Sequence, residues 1–375
     1  MKTFLSKILC AVTLALLTTA SVAGAQIGIT SLPVLELEPD SRAAGMGIAG
    51  TALADDASAV YWNPAGLGYQ EGREVGFTHA SWLPTLVDDM SYNFVRGKYH
   101  VDGIGTVGLH LTYLDMGEQQ HTNLEGDVID EFSSNEMAIG ASYGIQVHER
   151  FSVGTGLRFI HSNLATGLTV GEGRDVQSGT SFGIDLAGLY QSNHFELLGL
   201  NSRARAGINL SNMGPSIAYT DDEETQRDPL PTMLRLGWSV SVDLDTDGVN
   251  TLNLVNDFSK GMARLEDDGD PMNPLQALFS SWDTIERHDD QRDVSIPLSQ
   301  QIMVGMGAEY WYDGLFALRT GYFYEAPNNG DRRFLTLGAG LRYQYFGADF
   351  SYLYTLEEDH PLNNTIRLSA VIDIY

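Results

Sequence analysis

Basic residues are scarce in this chain of 375 residues: 22 Lys and Arg stand against 49 Asp and Glu, giving a formal charge of −27 and a pI near 4.4. That balance excludes a protein that wraps nucleic acid, because binding phosphate requires a basic surface. Cysteine is nearly absent. The single Cys10 falls in an N-terminal segment expected to be removed, so the mature chain has no thiol for a disulfide, a nucleophile or a metal site. No later stretch approaches the roughly 18 consecutive apolar residues of a membrane-spanning helix, so any embedding in a bilayer must be as a closed barrel of strands. Recognisable chemistry is missing too. The nine histidines form no H-x-x-x-H pair, and no glycine-rich phosphate loop follows a strand and opens a helix.

What is present begins with an address. Lys2 and Lys7, the apolar stretch from Ile8 to Leu17 and the small residues Ala23-Gly24-Ala25 make residues 1–25 a secretory signal peptide, with the mature chain starting near Gln26. Its two lysines leave with it, taking the formal charge to −29. From residue 74 to 375 the chain repeats segments of about ten residues in which apolar and polar or small side chains alternate. The clearest runs from Leu234 to Leu244, with Leu234, Leu236, Trp238, Val240 and Val242 on one face and Arg235, Gly237, Ser239, Ser241 and Asp243 on the other. A period of two is that of a strand.

Fourteen such segments are expected, at 74–82, 90–99, 104–114, 137–146, 151–162, 179–190, 202–212, 231–244, 250–258, 299–311, 315–325, 333–344, 348–355 and 365–375. Their connections alternate between long loops and short turns, the pattern of an outer-membrane β-barrel. A soluble sandwich or propeller is the alternative. Aromatics near strand ends, among them Trp82, Tyr92, Phe94, Trp311, Phe323 and Tyr354, suit belts at two interfaces. The expected inner face carries Arg158, Asp185, Arg203, Arg205, Arg235, Glu309, Arg342, Asp349 and Arg367, which a sandwich core would not tolerate but a lumen can hold. The fold class is therefore all-β: a fourteen-stranded antiparallel transmembrane barrel.

Residues 26–73 do not alternate and are rich in small side chains. A plug, or hatch, folded into the lumen fits that composition; a flexible periplasmic tail is the alternative. The blocks Arg42-Ala43-Ala44-Gly45-Met46-Gly47, Ala52 to Ala59 and Trp62-Asn63-Pro64-Ala65 resemble the N-terminal hatch of the PorV/PorQ family, within the FadL-like group of fourteen-stranded outer-membrane barrels. The resemblance continues at 81–84, 159–167 and 209–214 and is strongest from Gly307 to Phe323. One departure is Gly66-Leu67-Gly68, where shuttle members of the family usually carry a lysine and an aromatic residue.

The resemblance implies a non-enzymatic outer-membrane protein of type IX secretion, without cofactor or metal. Its implied partners are a large translocon barrel, secreted cargo with a C-terminal signal domain, and a surface sortase complex. The hatch residues implicated are Arg42, Gly45, Met46, Gly47, Trp62, Asn63 and Pro64. A FadL-like transporter of hydrophobic small molecules is the competing function.

Three further motifs have a functional and a structural reading. Gly140-Ala141-Ser142-Tyr143-Gly144 matches a nucleophile elbow but lies mid-strand. Asp243 to Gly248 resembles the opening of a calcium loop, yet its twelfth position is Leu254, so a hairpin turn is expected. The long loop 259–298 places Leu275, Leu278, Phe279 and Trp282 at roughly helical spacing, which suits either a partner-contact face or a cap over the barrel mouth. The seven long loops hold a net −22 of the mature −29, so the acidity belongs to the cell surface and the wall is near neutral.

Overall fold

The computed structural model describes residues 30–374 apart from 124–126, 171–173, 221–226, 267–268, 290–291 and 358–359; the signal segment 1–25 and Tyr375 lie outside the described residues. The chain beyond residue 72 forms one closed barrel. Its wall strands, numbered here in chain order, are β1 Arg73–Ser81, β2 Ser91–Val101, β3 Gly105–Thr122, β4 Val128–His148, β5 Phe151–Asn163, β6 Gly179–Gln191 and β7 Leu200–Met213. They continue as β8 Met233–Asp243, β9 Asn250–Gly261, β10 Ile302–Tyr312, β11 Phe316–Tyr324, β12 Arg333–Tyr343, β13 Phe346–Thr355 and β14 Thr365–Ile374. Each pairs antiparallel with the next, and β1 closes on β14 from Arg73↔Ile374 to Ala80↔Arg367. Closure leaves no wall edge unpaired, the condition for strands in hydrocarbon.

Burial follows the expected period of two, with β1 reading exposed and buried in strict turn. The outward set is apolar: Phe77, Leu109, Leu157, Leu236, Trp238 and Leu337 are all about half exposed or more. A contiguous apolar outer band is what a bilayer requires and what a soluble protein avoids. The inward set is polar. Arg158 pairs with Asp185; Arg319 bonds Glu309 at 2.9 Å and Asp349 at 2.8 Å; Arg342 reaches Asp349 at 2.7 Å.

Two expectations need correction. Loop 115–136 is largely strand: after a register shift between Asp115 and Glu118, β3 and β4 run on together to Thr122↔Val128 as a hairpin beyond the wall. Gly117, at φ +72°, makes the bulge, and Asp89 holds Glu118 N at 3.1 Å. The extension has no lipid-facing side, so its pairing carried no apolar alternation to read. The aromatic belt is also only partly as expected. Tyr92, Phe94 and Phe323 point inward and are nearly fully buried, whereas Tyr312, Tyr343, Tyr354 and Phe346 stand outward at the rims.

The N-terminal residues 30–72 fold inside this wall as short turns of helix, including α1 Ser41–Ala44 and α2 Ala59–Trp62. They touch inward side chains of strands on every side of the barrel, from Glu136 of β4 to Ser369 of β14, which places them in the lumen. The main apolar core lies between this segment and the wall, joining Leu32, Leu35, Tyr61 and Trp62 to Tyr92, Phe94, Leu114 and Ile160.

The outer band makes a depth-dependent prediction. Leu337→Arg, at the middle of β12, should cost about 2–4 kcal/mol in refolding titrations into lipid bilayers, and Tyr354→Arg at the rim about 0–1 kcal/mol. Equal, small costs at both positions would contradict a membrane-spanning wall.

Candidate functional site

The hatch motif is held by two seats on the wall. The first receives residues 40–51. Arg42 makes a bidentate bond to Glu309, Nε to Oε1 and Nη2 to Oε2, each at 2.8 Å, and its Nη1 donates to Asp55 at 2.6 Å and Asp56 at 3.1 Å. Planar fork-to-carboxylate pairing fixes orientation as well as charge. Gly45 packs on Gly338, while Met46 and Gly47 lie against Gly307 and Gly321. A Cβ on Gly321 would sit 2.1 Å from Gly47 N, and one on Gly47 would meet the Met306 and Tyr322 carbonyls at 2.5 Å. Gly47 also has φ +68°, and its N–H donates to Thr336 Oγ1 at 2.9 Å. A little farther on, Asp257 accepts the N–H groups of Gly50 and Thr51, both at 2.9 Å.

The second seat receives residues 61–69. Asn63 is extended, as the residue before proline must be, and its Oδ1 caps the 3-10 turn Pro64–Tyr69 by accepting Ala65 N at 3.1 Å. Its Nδ2 donates to Thr51 O at 2.9 Å and to Gly188 O at 3.2 Å. Trp62 O accepts from Asn209 Nδ2 at 3.0 Å. Arg235 lies 5.4 Å from the Tyr61 ring and 5.8 Å from that of Trp62. Gly66 and Gly68 are forced: a Cβ on either would come within 2.1 Å of Ala54 O or Ser152 Oγ. The Gly66-Leu67-Gly68 departure is therefore a fit of Gly66 to the segment's own Ala54 and of Gly68 to the wall, with Leu67 fully buried between them.

Two bonds join the seats, that of Asn63 to Thr51 O and one from Trp62. Trp62 Nε1 donates to Asp40 Oδ2 at 2.6 Å, and Asp40 Oδ1 caps α1 through Ala43 N at 2.9 Å. Burial, reinforced by the Asp56 carboxylate, raises the Asp40 carboxyl above the ordinary range. Asp56 goes the other way: burial opposes its charge, but Arg42 and Arg96 overcome that and hold it well below the ordinary range.

All seven hatch residues thus lie in one connected network. Sequence reasoning missed its wall-side half: Asp257, Asn209 and the inward glycines. The available signal was glycine repeating at inward strand positions, as in Gly305-Met306-Gly307, which marks close backbone approach.

The loop residues sit elsewhere. Helix α3 Pro274–Ser280, capped by Asn273 Oδ1 on Leu275 N at 3.0 Å, turns Ala277 and Ser281 to the barrel, where Ser281 Oγ bonds Met262 O at 2.7 Å. Leu275 and Phe279 point away, 65% and 85% exposed, with Trp282 also exposed and Leu278 half-buried at the flank. The loop is cap on one face and open apolar surface on the other.

The motifs at 140–144 and 243–248 have structural roles. Ser142 lies inward on β4, 3.4 Å from Val60 O. Asp245 accepts Val249 N and Asn250 N in the hairpin turn.

The family described as Type IX secretion system protein PorV matches residues 21–264. The chain belongs to that family. It is accordingly an outer-membrane protein of type IX secretion, and its signal segment is consistent with that location. No curated protein matches the chain. Among solved structures it is similar to a mutant of the monoaromatic hydrocarbon channel TodX, at TM-score 0.52 and 15% identity over 90% of this chain and 99% of that one. It is also similar to the toluene transporter TbuX of Ralstonia pickettii, at TM-score 0.49 and 15% identity over 89% and 98% of the two chains. A Pseudomonas aeruginosa FadL homologue aligns at TM-score 0.44 and 13% identity over 90% and 98%. At such identities the TodX likeness shows the FadL-like fold and nothing finer.

The glycine seat predicts a selective lesion in this PorV-family barrel. Gly321→Val should expose Arg42 to trypsin while the barrel stays folded and heat-modifiable. Gly261→Ala, where an added Cβ meets nothing within 4 Å, should not. Equal protection of Arg42 in both variants would refute the seat.

Proposed function

We propose that this protein is a non-enzymatic cargo receptor and shuttle. In this reading it docks beside a large translocon barrel in the outer membrane, takes up secreted cargo by its C-terminal signal domain, and passes it to a surface sortase complex. Three things support it. The chain belongs to the PorV family of type IX secretion. Its lumen is filled by residues 30–72 and lined by ion pairs, which suits a docking platform better than a conduit. The observation that carries the reading furthest is α3, a helix on the extracellular loop side with Leu275 and Phe279 facing away from the barrel and the half-exposed Trp282 just past its end, over Lys260. Helix-borne apolar anchors of this kind are a common means of holding a partner.

The competing reading is transport of hydrophobic small molecules, favoured by the fold shared with a hydrocarbon channel. It requires an apolar conduit, and the inward Arg, Asp and Glu set opposes one.

Deleting 270–285, or replacing Leu275 and Phe279 together by Asp, should stop release of cargo to the surface while the barrel remains heat-modifiable. Normal secretion by both variants would sink the receptor role of this loop. Lipid or hydrocarbon recovered from the lumen of the purified protein would favour transport instead.

A further inference from the structure

A cavity of about 470 Å³ opens beneath the hatch at the end of the barrel that carries the short turns, the periplasmic end. Its charged lining includes Arg42, Asp55, Asp56, Arg342 and a row of three residues on adjacent strands: Lys98, Glu74 and Asp373. The row is set by register, Lys98 opposite Glu74 across β2–β1 and Glu74 opposite Asp373 across β1–β14. All three positions fall on the inward face.

Most charge around the cavity is answered from within. Arg42 is held by Glu309, Asp55 and Asp56; Arg342 by Asp349; Asp55 also by Arg205. The row is not. Glu74 is 4% exposed, and its Oε2 accepts Ala57 N at 3.1 Å, but its Oε1 has no hydrogen-bond partner among the described residues. Lys98 Nζ stands 3.7 Å from Glu74 Oε2, too far for a hydrogen bond. Asp373 has no ion-pair partner among the described residues. Arg96, also inward on β2 and buried, adds positive charge beside Glu74, but its Nη1 donates to Thr78 Oγ1 at 3.2 Å and no hydrogen bond joins it to Glu74 among the described residues, so the row keeps an unfilled buried acceptor. Such an acceptor marks a place where a donor belongs.

We propose that this vestibule binds a primary alkylammonium group, with Glu74 and Asp373 as its acceptors. Its three N–H donors can serve both carboxylates at once, including the Glu74 oxygen that no protein donor reaches. The cavity holds many times the roughly 30 Å³ of a water molecule, so an alkyl stem fits behind the charge, along Val371 and Tyr345. A divalent metal suits the row poorly, because no cluster of three ligating groups exists among the described residues. The ammonium can come from a free diamine or from a lysine side chain on an extended peptide, and the experiment separates these sources. The inference does not depend on the shuttle reading.

The test is calorimetric titration of the full-length protein in detergent with 1,5-diaminopentane, with a short unstructured peptide carrying one lysine, and with the same peptide acetylated on that lysine. Pentanoate serves as the anionic control. Binding of the amine or of the free-lysine peptide is expected, with neither the acetylated peptide nor pentanoate bound. Tighter binding of the peptide assigns the site to a protein chain, and tighter binding of the diamine to a free amine. Glu74→Gln and Asp373→Asn should each weaken binding about tenfold, the loss of one charge-assisted hydrogen bond. Lys98→Met, which removes the resident competitor, should strengthen it. Heat-modifiability of each variant reports an intact barrel. Absence of binding to wild type, or equal affinity in wild type and both carboxylate variants, would overturn the proposal.

Discussion

In hydrocarbon there is no water to satisfy a peptide group, so a chain that crosses a bilayer as strands must close its ladder completely. Everything else in this molecule follows from that condition. Closure between β1 and β14 removes the last free edge, and with period two it sorts side chains into an apolar outer set and a polar inner set. The inner set then faces a lumen too wide to be filled by wall side chains alone. Arg158 and Arg319 find carboxylates on neighbouring strands, but Arg367 would be stranded there without its ion-pair partner. The N-terminal segment supplies part of the answer: Glu38 takes Arg367 at 3.0 Å, and Arg42 joins Glu309, which also holds Arg319.

Filling the lumen imposes a second condition on the wall. A hatch that packs by its backbone, as residues 45–48 and 64–68 do, needs wall positions without side chains, and glycine occurs inward at Gly307, Gly321, Gly144 and Gly154. The ion pairs orient the hatch, and the glycines let it approach. Neither alone would seat it. Buried pairs such as Arg42 with Glu309 cost desolvation on both sides, so their main contribution here is to specify one docked geometry. Removing one member would be far more damaging than the net worth of the pair suggests.

Most of the wall was legible in the sequence, because a lipid-facing strand must alternate; β1, β5 and β8 fall within a residue or two of their expected bounds. Legibility failed where the membrane ends. The β3–β4 hairpin beyond the wall pairs through its backbone with polar side chains on both faces, so it resembles loop. The aromatics failed for a related reason: Tyr92 and Phe94 meet the hatch core, a partner distant in sequence that alternation cannot reveal. The hatch motif was visible as a run of small residues. Its connectivity through Asp40, Asp257 and Asn209 was not, since those bonds depend on barrel closure.

Membership of the PorV family and a lumen occupied by its own chain are the grounds on which we propose that activity resides at surfaces. The acidic loops and the exposed face of α3 then lie on the cell-surface side, and the neutral wall is left to lipid and to neighbouring barrels. The central claim is that this barrel is a station between translocon and sortase. The most direct measurement is the set of proteins that co-purify with it from detergent-solubilised outer membranes. The account predicts a giant translocon barrel and a surface sortase among them; recovery of neither, with hydrophobic small molecules bound in the lumen, would contradict it.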